Sequence, residues 1–102
     1  MSTSASLRRT YIVECYVPGI KRSKVEREVD RVRAASAELR EEGLKLEYAG
    51  AILVPGDEVV FHIVASEYEE TVREASVRAS LSYERVVEFI AVGRLPAEKE
   101  TA

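Results

Sequence analysis

Leu44-Lys-Leu-Glu-Tyr48-Ala-Gly-Ala-Ile-Leu-Val54-Pro-Gly-Asp-Glu58-Val-Val-Phe-His62-Ile-Val-Ala65 is the stretch on which the fold turns. Apolar and polar residues alternate from Leu44 to Tyr48, and the run becomes small and apolar through Val54. Pro55-Gly56-Asp57 then turns the chain into a second dense run of β-branched and aromatic residues. Two such runs around a Pro/Gly/Asp turn predict a hairpin. Upstream, Arg9 to Val17 (Tyr11, Ile12, Val13, Tyr16, Val17) predicts a strand closed by Pro18-Gly19. Ser23 and Glu26 have capping-box spacing. Val25, Val29, Val32, Ser36 and Leu39 follow with a 3.6-residue period, and Gly43 stands where a left-handed C-cap is wanted, so a helix is expected over Lys24 to Glu42. Downstream, Ser66 and Glu69 repeat the capping spacing ahead of a narrow stripe, Tyr68, Val72, Ala75 and Ala79. Arg85 to Val92 reads as the last strand.

The order is β-α-β-β-α-β, an α+β fold of ferredoxin-like type. Right-handed crossovers put both helices on one side of an antiparallel sheet ordered 4-1-3-2. The chain has 102 residues, 46 % hydrophobic and 32 % charged, which suits one domain over residues 9–93. Residues 1–8 and 94–102 read as disordered and flexible tails. The 15 Lys+Arg and 18 Asp+Glu leave a net charge of -3. Basic residues interleave with carboxylates and form no basic stripe, so nucleic acid is not an expected partner. No apolar run approaches the roughly 20 residues of a membrane helix, and no export signal is evident. The single Cys15 excludes an internal disulfide framework and fits a reducing cytoplasm.

Strand parity divides the sheet into two faces. Tyr11, Val13 and Cys15, with Val59, Phe61, Ile63 and Ala65 and with Val87, Phe89 and Ala91, are expected under the helices. The opposite face is expected to carry Ile12, Glu14 and Tyr16; Val60, His62 and Val64; Val86, Glu88 and Ile90; and Leu46, Tyr48, Gly50 and Ile52. That face is too apolar for water. A second copy stacked on it, sheet to sheet, gives a dimeric α/β barrel with a cavity between the sheets.

Glu14, His62 and Glu88 fall on the covered face in neighbouring strands, and ionisable groups in an apolar setting are costly unless paired or used. Carboxylate and imidazole groups could together hold a divalent metal or act as general acid and base. The structural alternative is that the glutamates meet basic side chains at the rim and His62 is a hydrogen-bonded interior histidine. Tyr16 and Tyr48 could orient a ligand in the barrel and Tyr83 could line its mouth, against core packing with satisfied hydroxyls. Cys15 reads as a small apolar filler. His62 is the only histidine, so a histidine-rich metal site requires two chains.

Tyr11-Ile-Val-Glu-Cys-Tyr-Val-Pro-Gly19, Val72-Arg-Glu-Ala75 and Leu81-Ser-Tyr-Glu-Arg-Val-Val-Glu88 resemble segments of a family of small bacterial proteins grouped as a domain of unknown function and often described as nickel-binding or nickel-responsive. The resemblance spans about Arg9 to Val92 and implies a ferredoxin-like dimeric α/β barrel, with Glu14 and Glu88 at the family's strand glutamates. The resulting expectation is a small cytoplasmic homodimer that binds a small molecule or a divalent metal, nickel by resemblance, between its sheets, with no organic cofactor. The alternative is a cofactor-free isomerase, cyclase or monooxygenase in which Glu14 or Glu88 is the base and His62 its partner.

Overall fold

The computed structural model describes residues 9–93; the two expected tails lie outside them. β1 (Arg9–Tyr16), α1 (Arg22–Glu41), β2 (Leu46–Val54), β3 (Val59–Ser66), α2 (Glu69–Arg78) and β4 (Tyr83–Phe89) follow in chain order. The four strands form one antiparallel sheet in the order β2-β3-β1-β4, which is the expected order read from its other edge. The α+β architecture is compatible with a ferredoxin-like fold. α1 lies mainly against β2, and α2 against β3 and β4. Among the described residues, no helix is long and apolar enough to cross a membrane.

Gly43, at φ 97, closes α1 as its position suggests, with the Leu44 N–H donating to the Leu39 carbonyl at 3.0 Å and the Gly43 N–H to the Arg40 carbonyl at 3.0 Å. The helix starts differ from expectation. α1 is preceded by Lys21 with no side-chain cap, and Ser23 lies inside its first turn. α2 is preceded by Tyr68, again without a side-chain cap. Ser66 instead donates to the Lys45 carbonyl at 2.9 Å and accepts from the Tyr68 N–H at 3.4 Å, tying the entry of α2 to the loop before β2. Tyr68 therefore sits outside the buried stripe and is 61 % exposed. β4 begins at Tyr83 and ends at Phe89, earlier than expected at both ends.

The larger correction concerns strand faces. Directly paired residues of an antiparallel ladder share a face, and Val13 stands opposite both His62 and Val86. Tyr11, Val13 and Cys15 do lie under the helices, but with Val60, His62, Val64, Ser66 and Val86, and with Leu46 and Tyr48. Val59, Phe61, Ile63, Ala65, Val87 and Phe89 face the other way, with Ile12, Glu14 and Tyr16. Both halves of β3 are apolar enough for a core, so its composition does not choose between them. Pairing with β1 does, and the helix side supplies partners for the polar His62 and Ser66. In β2 a register shift between Tyr48 and Gly50 changes the frame. Ala51 and Leu53 then pack on the core, while Gly50 and Ile52 turn outward. An apolar face without helices is still present, made of Ile12, Ile52, Phe61, Ile63, Val87 and Phe89.

Candidate metal centre

Glu28 follows Val25 by three residues and precedes Val32 by four, which puts it on the inward stripe of α1 with Val25, Val32, Ala35, Ser36 and Leu39. It reaches the middle of the sheet. There His62, at the centre of β3, is fully enclosed, with Cys15 of β1 and Tyr48 of β2 on the same face. His62 Nε2 lies 3.1 Å from Glu28 Oε1, and His62 Nδ1 lies 2.7 Å from the Tyr48 hydroxyl. A carboxylate only accepts, so Nε2–H donates to Glu28 and Nδ1 accepts from the Tyr48 O–H. The Tyr48 and His62 rings are tilted by 39° with centroids 5.8 Å apart, and the Arg33 guanidinium carbon lies 5.6 Å from the Tyr48 ring centroid.

Burial sets the electrostatics. It lowers the pKa of His62 below the ordinary imidazole value, against an opposing pull from the Glu28 hydrogen bond. Burial also raises the Tyr48 phenol, and Arg33 counters this. The Cys15 thiol is pushed up to about 12, first by burial and then by the negative fields of Glu28 and Glu14. Left to itself, the group is a neutral imidazole, a protonated thiol and a phenol around one buried glutamate.

Cys15, Glu28 and His62 lie close together, their donor atoms all within 4.8 Å of one another, and could hold a metal ion. Sulfur, nitrogen and oxygen donors suit zinc, nickel or cobalt better than magnesium or calcium. Around a tetrahedral ion with bonds of roughly 2.0–2.3 Å, donors sit about 3.5 Å apart. The shell would contract by about an ångström at its widest. The phenol suits both states of the histidine: it donates to Nδ1 now, and accepts from Nδ1–H if Nε2 gives up its proton to become a ligand.

The residues expected to share a site are dispersed. Glu14 is on the helix-free face, where its Oε1 accepts from Arg85 Nε at 2.7 Å. Glu88 is exposed on the edge strand β4 opposite Tyr11, on the other side of the sheet from Glu14. His62 points into the core. Tyr16 is half-exposed on the helix-free face and donates to Glu58 Oε1 at 3.2 Å, away from Tyr48. Tyr83 packs at the border of the core. Glu28, absent from the expected set, was legible as an acid on an apolar helical stripe. Cys15 reads as filler in the sequence because parity places it on the helix-packed face and His62 on the other; the structure brings both to one face. Comparisons of the chain with protein-family models, with curated proteins and with solved structures find no match.

Proposed function

We propose that this protein binds one divalent transition-metal ion per chain, of the zinc and nickel class, through Cys15, Glu28 and His62, with Tyr48 orienting the histidine. The observation that carries the reading is the convergence of three different metal-ligating side chains from β1, α1 and β3 in the core, within 4.8 Å. A carboxylate and an imidazole are expensive to bury for packing alone. The site lies inside one chain between helix and sheet, and one histidine suffices because thiolate and carboxylate supply two further donors, with the fourth tetrahedral position left to solvent or a ligand. Loading releases the Cys15 proton and shifts the remaining imidazole proton to Nδ1.

Titration of the untagged, metal-free chain with Co(II) tests this. The expected result is one equivalent bound, with tetrahedral ligand-field bands and a thiolate-to-cobalt charge-transfer band. Cys15→Ser should abolish the charge-transfer band, and Glu28→Gln and Tyr48→Phe should each weaken binding about 10–100-fold. No stoichiometric uptake by the wild-type chain, or unchanged bands in Cys15→Ser, would overturn the reading.

The helix-free sheet face supports a homodimer, because Ile12, Ile52, Phe61, Ile63, Val87 and Phe89 form a broad apolar surface of the kind a soluble monomer rarely leaves open. A two-fold stack of the sheets covers it with itself. Light scattering should give twice the chain mass at micromolar concentration, and a monomer there would sink this assembly. The lone, buried and free Cys15 favours a reducing cytoplasmic setting. Acid–base catalysis by Glu14 and Glu88 on His62 has no support from these placements.

A further inference from the structure

On the far side of Tyr48 a cleft of about 460 Å³ opens between α1 and β2, lined by Arg33, Ser36, Arg40, Leu46, Glu47 and Tyr48. Among the described residues, Ser36 Oγ is the only buried side-chain polar atom without a hydrogen-bond partner, on a residue 1 % exposed. A buried helical serine ordinarily returns its proton to the carbonyl four residues back. Ser76 does so to Val72 at 2.9 Å; Ser36 does not. An unsatisfied buried hydroxyl costs about 1–3 kcal/mol, and natural folds carry few of them.

The charges around it agree. Arg33 and Arg40 are two helical turns apart on α1, about 10 Å along the axis, with Ser36 between them on the same face. Arg22, Arg73, Arg78 and Arg85 each pair with a glutamate, whereas among the described residues neither Arg33 nor Arg40 has an acidic partner within 4.0 Å. Arg40 makes one long bond, 3.4 Å, to the Leu46 carbonyl, and Arg33 rests against the Tyr48 ring, so most donors of both forks are free. With Glu47 as the one carboxylate in the lining, the cleft carries a single net positive charge.

We propose that this cleft is a binding site for a small organic monocarboxylate. The acid group is held by the Arg33 and Arg40 forks and by the Ser36 hydroxyl, and the body of the molecule lies along Leu46 and Tyr48. Guanidinium forks match the planar carboxylate in two-point fashion, the volume falls in the range of small-molecule sites, and one net charge suits a monoanion. The assignment does not rest on the metal centre, with which the cleft shares only the Tyr48 ring.

The test is titration of the metal-free full-length chain with sodium benzoate, followed by amide chemical shifts, with sodium phosphate as a parallel arm. Benzoate should give saturable shifts at Ser36 and Leu46 to Tyr48, and phosphate should bind more weakly. Arg33→Gln with Arg40→Gln, both at exposed positions, should weaken benzoate at least tenfold while the protein keeps its cooperative melt. Ser36→Ala should weaken it about tenfold while leaving the ligand-free protein as stable as the wild type or more so. Absence of saturable shifts, binding retained in the double arginine variant, or phosphate binding more tightly than benzoate would each overturn the assignment. Loss of stability in Ser36→Ala would show that the hydroxyl has an internal partner and remove its basis.

Discussion

The two faces of the sheet carry different side chains. The face under the helices encloses polar side chains, His62 and Ser66 of β3, Tyr48 of β2 and Cys15 of β1, met by Glu28 from above. The face without helices holds the larger hydrocarbons, Phe61 and Ile63 beside Ile12 and Val87. A single strand divides this way, with Val60, His62 and Val64 on one side and Val59, Phe61 and Ile63 on the other. The more apolar half does not go to the internal core. An enclosed polar cluster requires fixed partners, which α1, β2 and the flanking loops of the same chain provide, whereas an apolar surface needs only to be covered, by another copy as well as by a helix.

Adjacent substitutions on β3 should break this comparison most severely. Val60→Asp puts an unpaired carboxylate where exposure is zero, at a cost of several kcal/mol, comparable with the whole stability of a domain. It should leave the chain unfolded by circular dichroism. Phe61→Asp, one residue on, should keep the cooperative melt of the fold and, on the proposed assembly, give the mass of one chain by light scattering where the wild type gives two. Equal damage from both variants would show that the two faces are not distinct.

Acid should probe the helix-covered face alone. His62 has a lowered pKa in the fold, so below about pH 6.5 the unfolded chain takes up a proton that the native core refuses. The stabilisation present above that pH is lost as pH falls toward the native value, with a slope of up to about 1.4 kcal/mol per pH unit. Urea unfolding of the metal-free protein between pH 7.5 and 5.5 should show the loss, and His62→Gln should flatten it. A wild-type profile flat across this range would mean that His62 is protonated or solvated in the fold. The smallest effect belongs to the other face: the half-exposed Arg85–Glu14 pair should contribute under about 1 kcal/mol, so Glu14→Gln should barely move the melting temperature.

Much of the topology was legible because helices announce themselves by period and strands by composition, and the chain alternates between them cleanly. Which way each strand faces was not. The partition of β1 into Tyr11, Val13 and Cys15 against Ile12, Glu14 and Tyr16 matches the structure, but β3 offers two apolar halves, and the pairing that selects one is a long-range property. That inversion carried the candidate site with it. Glu14 lies across the sheet from His62, Glu88 shares the histidine's face but is exposed on the edge strand, and Glu28, whose place among Val25 and Val32 is visible in the sequence, is the carboxylate that reaches it.

The register shift in β2 has a consequence for how the chain tolerates gain and loss of residues. Leu46 and Tyr48 face the helices in one frame, Ala51 and Leu53 in the next, and Ala49 is the extra residue between them. Deleting Ala49 would leave Gly50 opposite Ile63 and place every later residue in continuous alternation with Tyr48, so both faces keep their side chains and only the local twist relaxes. Deleting Ala51, two positions on, would instead exchange the faces of Ile52, Leu53 and Val54. The strand thus contains its own point of repair, at which a length change can be absorbed without touching the core.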